Sequence, residues 1–85
     1  MDIKKINALI AEKRWTEMLK ELPAGQHTIP FPNVEAIRSC KAVAYSINSD
    51  NKVREEGNTY LFNVDKSELS AIITVSELKK NEENV

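Results

Sequence analysis

The 85-residue chain has a single cysteine and a single histidine. One cysteine excludes an internal disulfide, and the two residues together are too few for the usual zinc sites, which take four Cys or His ligands. Only two glycines are present, and they stand apart at Gly25 and Gly57. A glycine-rich phosphate-binding loop is therefore absent, and we expect neither a metal nor a cofactor.

An excess of charge of one sign and a long apolar run are also absent. Twelve Lys and Arg against 13 Asp and Glu leave a formal net charge of -1, so bulk charge favours neither nucleic acid nor a membrane surface. No apolar run reaches about 18 residues, and the amino terminus lacks the apolar block of about 7–15 residues found in secretory signals. We therefore expect no membrane partner.

The composition is that of a folded domain, with 41% hydrophobic and 29% charged residues. We expect a single domain over residues 1–80, followed by a polar tail at 81–85. The pattern predicts an α+β fold in the order α-β-α-β-β. Two helices would pack on a small three-stranded antiparallel sheet that ends in a C-terminal hairpin.

The first two elements are marked by their ends. A helix is predicted over residues 2–22, with Asp2 as its N-cap and Pro23 as its stop. A short strand is predicted over residues 27–31. Because Pro30 has no N–H for a sheet ladder, this strand should lie at an edge or leave Pro30 facing outward.

A second helix is predicted from Val34 to about Asn48, with Asn33 as its N-cap. Its apolar residues recur at spacings of three and four, at Ala36, Ile37, Cys40, Val43, Ala44 and Ile47. A strand that starts at Ala42 is the weaker alternative. The polar residues 48–57 are predicted to form a loop.

Two alternating runs, at residues 59–64 and 69–75, predict a β-hairpin around a turn at 65–68. In the first run Tyr60, Phe62 and Val64 share one face. Ser76 is then expected to cap a last helical turn through Leu78.

The first helix has apolar residues on two sides. One stripe is centred about 140° from the other around the helix axis. The first consists of Ile3, Ile6, Leu9 and Ile10, and the second of Trp15, Met18, Leu19 and Leu22. Either the helix breaks near residues 13–15, with Thr16 capping a second short helix, or the first stripe is a contact surface.

Under the second alternative the first stripe and the neighbouring cations form an interface for a second copy of the chain or for another protein. The residues expected in it are Ile3, Ile6, Leu9, Ile10, Lys13 and Arg14. Burial of apolar side chains of this kind contributes about 1.5–3 kcal/mol each, which would suffice for a specific homodimer.

Nucleic-acid binding is the alternative function. A basic, partly aromatic patch on the second helix and the following loop would carry it, with Arg38, Lys41, Tyr45, Lys52 and Arg54 as its residues. Acidic residues lie among them, so an ordinary solvated helix face of mixed charge is the simpler interpretation. Binding by so few cations should be weak and should fall steeply with salt.

Residues suited to catalysis do not form a set. Cys40 falls on the apolar stripe of the second helix, and His27 has no predicted partner. The carboxylate pairs at 55–56 and 82–83 lie in polar sequence, where solvation keeps them ordinary acids. We therefore expect a protein that is not an enzyme.

Four features follow one another along the chain: Leu22-Pro23-Ala24-Gly25, Ile29-Pro30-Phe31-Pro32, a helix containing alanine and serine, and an alternating hairpin. This arrangement resembles small accessory proteins encoded by bacteriophages and prophages. The likeness spans residues 22–75 and carries over no functional residues. It implies a phage or mobile-element origin and action in the cytoplasm of a bacterial host. The expected function is non-enzymatic docking on a bacterial or phage protein, with steric occlusion of that partner, as a homodimer.

Overall fold

The computed structural model describes residues 1–78 and contains three helices and three strands over that range. In chain order these are α1 (Ile3–Ala11), α2 (Trp15–Lys20), β1 (Gly25–Pro30), α3 (Val34–Arg54), β2 (Gly57–Asp65) and β3 (Ser70–Leu78). The α+β class is confirmed, with a three-stranded antiparallel sheet and a C-terminal β2–β3 hairpin. The tail predicted at 81–85 lies outside the described residues.

The segment predicted as one helix over residues 2–22 is broken into α1 and α2 at Lys13, which confirms the alternative of a break near residues 13–15. Asp2 caps α1 as expected, its side chain accepting the backbone N–H of Lys5 over 3.2 Å. At the other end Lys13 takes a left-handed conformation, with φ at 58°. Its N–H donates to Ile10 and that of Arg14 donates to Leu9, which is the hydrogen-bond pattern of a Schellman motif. Thr16 is not the cap of α2, which begins after Arg14 without a side-chain cap.

The second predicted helix, α3, is longer than the pattern indicated. Asn33 caps it as expected, accepting the N–H of Ala36 over 2.8 Å. It continues through Arg54, so most of the loop predicted at 48–57 is helical. It ends at Glu55, which is left-handed with φ at 60°. Even this helix lacks the apolar length to cross a membrane, and so does every other helix within residues 1–78.

The strands are ordered β1-β3-β2, so the last strand in sequence is the centre of the sheet. β1 is an edge strand, which confirms the position inferred from Pro30. Both ladders are antiparallel, with Gly25 opposite Val75 in one and Tyr60 opposite the same Val75 in the other. The helical turn expected from Ser76 is wrong, because β3 continues through Leu78.

One face of the sheet carries the hydrophobic core. α3 packs against this face, α2 packs against α3, and α1 packs against α2. The ring centres of Trp15 in α2 and Phe31, the residue after β1, are 6.0 Å apart. The buried apolar residues come from all six elements and their links: Ile6, Leu9, Ile10, Trp15, Met18, Leu19, Leu22, Ile29, Phe31, Ala36, Ile37, Cys40, Ala44, Tyr60, Phe62, Ala71, Ile73 and Val75.

Candidate functional site

The apolar stripe of α1 is mostly core, which corrects the expectation of a free contact surface. Ile6 is only 2% exposed, and Leu9 and Ile10 are buried with it, whereas Ile3 is 55% exposed. The break at Lys13 is the reason, since it turns α1 so that its stripe and that of α2 pack into the same core. A preformed surface built from Ile3, Ile6, Leu9 and Ile10 together is therefore absent from residues 1–78.

The two cations grouped with that stripe lie on the link between α1 and α2. Lys13 and Arg14 are both exposed. Arg14 forms ion pairs with Glu17 at 2.6 Å and with Glu12 at 3.5 Å, and all three side chains are about half exposed. Exposed pairs of this kind contribute little to stability. Because Glu12 and Glu17 lie beside Arg14, however, the surface of the link is close to neutral rather than basic.

The two residues considered for catalysis, Cys40 and His27, have different surroundings. Cys40 is fully buried, and burial raises the pKa of its thiol to about 12, so the sulfur stays protonated at neutral pH. His27 Nε2 lies 2.7 Å from the carbonyl oxygen of Pro23, which occupies one of its ring nitrogens. Within residues 1–78 no three His, Cys, Asp or Glu side chains are placed to hold a metal ion.

The basic residues of the nucleic-acid hypothesis lie along α3, including two that were expected in a loop. Arg38 pairs with Glu35 at 3.7 Å, and Arg54 pairs with Asp50 at 3.2 Å. The Lys41 ammonium lies 5.6 Å from the centre of the Tyr45 ring. Lys52 forms no ion pair inside the described range, so the net positive charge of this helix side rests on two lysines.

Side chains of α3 close the outer edge of β2, which sequence reasoning missed. Asn48 Nδ2 donates to the carbonyl oxygen of Tyr60 over 2.7 Å, and the N–H of Tyr60 donates to Asn48 Oδ1 over 2.7 Å. Asn51 Nδ2 donates to the carbonyl oxygen of Asn58 over 2.6 Å. The two asparagines thus take the place of a neighbouring strand.

A third member completes this arrangement. The N–H of Phe62 donates to the hydroxyl of Tyr45 over 3.4 Å. Residues three apart along α3 thus contact the backbone of residues two apart along β2. We call this set the α3 plug: Tyr45, Asn48 and Asn51.

Gly57 leaves room for the plug at the start of β2. A Cβ atom there would lie 2.7 Å from Asn51 Nδ2, and Gly57 has φ at 100°, which side chains rarely adopt. Asn51 also accepts a hydrogen bond from Arg54 over 2.9 Å and is the one buried polar residue among residues 1–78. The last turn of α3 and the first residues of β2 are therefore fitted to each other.

The sheet face opposite the core has no helix over it in residues 1–78. We call it the outer face. Its side chains alternate with those of the core along the three strands. They are Gln26, Thr28 and Pro30 of β1, Thr59, Leu61, Asn63 and Asp65 of β2, and Ser70, Ile72, Thr74 and Ser76 of β3.

The outer face is almost free of charge. The chain has 12 Lys and Arg, yet the sequences of the three strands contain neither residue. Asp65, at the hairpin end of β2, is the one charged side chain on this face of the described sheet. The edge strands of soluble proteins are commonly kept from unwanted association by charged side chains, especially lysine, and neither β1 nor β2 contains lysine or arginine.

Two large apolar side chains stand on the outer face. Leu61 is 63% exposed and Ile72 is 38% exposed. Their strands are neighbours, and Leu61 lies opposite Thr74, two residues from Ile72. Diagonal cross-strand neighbours are about 7–8 Å apart, so the two side chains form one apolar patch.

A groove runs between this patch and α3, along the β2 edge that the α3 plug closes. It has a volume of about 490 Å³. Tyr45 and Lys52 of α3 line one wall, and Leu61 and Thr74 line the other. An apolar side chain can enter it against Leu61, while Lys52 offers a cation at its rim.

The sequence carried a signal for this surface. The alternation that assigns Tyr60 and Phe62 to the core also assigns Leu61 to the opposite face. The absence of lysine and arginine from both runs of the hairpin is readable without a structure. Comparison of the chain with family models, curated proteins and solved structures found no match in any of the three.

Proposed function

We propose that this protein is a non-enzymatic docking protein that binds another protein through its outer face and blocks a site on that partner. The observation that carries the proposal is an open sheet face with one charged residue and two exposed large apolar side chains, in a chain rich in charge elsewhere. The partner's contacting surface is uncharged, apolar where it meets Leu61 and Ile72, and able to form hydrogen bonds with the hydroxyls and amides around them. An acidic side chain at its margin meets Lys52.

Burial of this face is favourable on simple physical grounds. Uncharged side chains are removed from water without the large desolvation penalty of an ion. Full burial of Leu61 and Ile72 contributes about 1.5–3 kcal/mol each before the entropy of association is subtracted. A phosphate-rich partner would find no cation on the strands themselves, so a protein surface fits this face best.

The resemblance of residues 22–75 to phage and prophage accessory proteins supports a bacterial or phage protein as the partner. It also supports action in the cytoplasm of a bacterial host. Occlusion requires only a rigid surface of the right shape, and the buried state of Cys40 agrees with a role without chemistry.

The test compares two outer-face variants with a matched control. Leu61→Lys and Ile72→Lys each place a cation on the outer face, while Val53→Lys does the same at an apolar residue of α3 that is 84% exposed. Proteins captured from a bacterial lysate by the wild-type chain are identified by mass spectrometry. The affinity of each purified candidate is then measured by calorimetry for all four chains.

We expect one captured protein whose affinity falls at least about tenfold with either outer-face variant and stays unchanged with Val53→Lys. Equal affinity for all four chains would contradict the proposal. The proposal would also be contradicted if the Leu61→Lys chain captured every protein that the wild-type chain captures.

Nucleic-acid binding is the second candidate, since Lys41 and Lys52 flank Tyr45 on one side of α3. It ranks lower because Lys41 already lies over the Tyr45 ring, where a base would stack, and because two cations give weak binding. Fluorescence anisotropy with single- and double-stranded DNA at low salt tests it. Binding at micromolar protein that is lost in Lys41→Ala and Lys52→Ala would support this candidate over protein docking.

A further inference from the structure

The open edge of the sheet lies at β1. The N–H of Phe31 donates to the carbonyl oxygen of Leu69 over 2.8 Å. In an antiparallel pair alternate residues direct their backbone groups to the partner strand, so Gln26 and Thr28 direct theirs away from β3. β3 is the one described element against which β1 packs, so these N–H and C=O groups meet no other strand or helix.

The two edges of the sheet therefore differ in whether side chains bind their outward backbone groups. At the β2 edge the α3 plug accepts or donates at Asn58, Tyr60 and Phe62. At the β1 edge no side chain of residues 1–78 plays this part, and β1 has no lysine or arginine to repel another strand. Pro30 removes one N–H, but only at the last position of the strand.

We infer that β1 pairs antiparallel with β1 of a second copy of this chain around a two-fold axis. The joined sheet then has six strands in the order β2-β3-β1-β1-β3-β2. Self-pairing is symmetric, so the outward N–H and C=O groups of Gln26 and Thr28 on one protomer meet the same set on the other. Because Gln26, Thr28 and Pro30 are uncharged, no like charges are brought together.

The size of the outer face is the argument for a second copy rather than another edge partner. At about 3.3 Å per residue and about 4.8 Å between strands, the outer face of one sheet covers about 400 Å². Standard stable interfaces bury about 800 Å² on each partner. Two sheets joined at β1 present one continuous face with twice the footprint of either, which brings it closer to the extent of a stable interface, and this step rests on the docking function proposed above.

The first test is the oligomeric state measured by sedimentation equilibrium over a range of concentrations. Thr28→Pro removes the outward N–H and places a ring at the edge, while Thr28→Val keeps the N–H and a β-branched side chain. We expect the wild-type chain and Thr28→Val to dimerise alike. The dimer dissociation constant of Thr28→Pro should rise at least about tenfold, because two symmetric backbone hydrogen bonds are lost.

The second test uses the wild-type chain alone, so it does not depend on how a proline is tolerated. Amide hydrogen exchange is measured by NMR at low and high protein concentration. Protection of the Gln26 and Thr28 amides should rise with concentration. The amides of Tyr60 and Phe62 are the internal controls, since they already donate to the α3 plug and should be protected equally at both concentrations.

Three results would overturn the inference. They are a monomer at every concentration, hydrogen exchange of the Gln26 and Thr28 amides that does not change with concentration, or a dimer that Leu61→Lys disrupts and Thr28→Pro leaves intact. The last would place the second copy on the outer face instead. A dimer that behaves as expected but binds no other protein would keep this inference and remove only the proposed docking function.

Discussion

Asn48 acts toward Tyr60 as a strand would, because its one amide group both accepts from the N–H and donates to the carbonyl oxygen of that residue, each over 2.7 Å. Tyr60 is buried, and its hydroxyl reaches the carbonyl oxygen of Leu19 at 3.4 Å on the other side of the core. The helix and the edge strand are thereby joined through polar groups as well as through apolar packing.

Asn48→Ala should destabilise the protein measurably. It leaves the N–H and the carbonyl oxygen of Tyr60 without partners, and each unsatisfied buried group costs about 1–3 kcal/mol. Urea denaturation followed by circular dichroism measures the loss, with Ser49→Ala, an exposed neighbour on the same helix, as the control. Equal unfolding midpoints for the two variants would show that water satisfies this edge.

Lys13→Gly should stabilise the protein by about 1 kcal/mol, because the left-handed conformation strains every residue except glycine. Lys13→Ala removes the same charge but keeps a Cβ atom, so it should give no such gain. Thermal unfolding of the two variants separates the backbone effect from that of the lysine side chain. A gain of the same size in Lys13→Ala would show that loss of the charge, and not relief of strain, is responsible.

Ile6→Ala and Ile3→Ala distinguish a core residue from a surface residue on the same helix. Ile6→Ala should cost about 2–5 kcal/mol of the free energy of unfolding, whereas Ile3→Ala should change it by less than about 0.5 kcal/mol. Guanidinium denaturation measures both. Comparable small losses at the two positions would mean that α1 is not packed as described.

The Cys40 thiol should react with Ellman's reagent only when the protein unfolds. Burial shields the sulfur and raises the pKa of the thiol to about 12, so the reactive thiolate is scarce in the folded state. Labelling is followed by absorbance in buffer and in denaturant at pH 8. Rapid labelling of the folded protein would contradict the buried position of this residue.

Asp65 should titrate below its ordinary range. The hydroxyl of Ser67 donates to its Oδ1 over 2.7 Å and lowers the pKa of the carboxyl, and the N–H of Glu68 adds to the effect. Because the folded pKa is lowered, the stabilisation is present at neutral pH and is lost as the pH falls through that pKa. NMR titration of Ser67→Ala should show a higher Asp65 pKa, with Ser46→Ala as the control that leaves it unchanged.

The elements that sequence reasoning located correctly are those with local signals. Asp2 and Asn33 are good N-caps in any context, and the alternation of Tyr60 and Phe62 needs no tertiary information. The end of α3 lacks its usual marker, and so does the break after α1. Lys13 and Glu55 hold the left-handed position that glycine normally takes, so the residue types did not mark the true end of α3, and the break near residues 13–15 was inferred from the two apolar stripes alone.

The candidate site was harder to foresee for a different reason. Asn48 and Asn51 are residues typical of loops, and their role depends on a strand that is close only after folding. A straight helix of residues 2–22 would have left the stripe of α1 free, and the pattern alone did not decide between that helix and one broken near residues 13–15. The lack of lysine and arginine on the strands required no such tertiary knowledge, but only the structure shows that no helix of residues 1–78 covers the outer face.

The central position of β3 has a consequence for biosynthesis. Gly25 has no ladder partner until Val75, fifty positions later, has been synthesised, and β2 pairs with the same strand. β1 and β2 do not pair with each other, so neither has a ladder until residues 70–78 are available. Any chain terminated before Ser70 therefore loses both ladders at once.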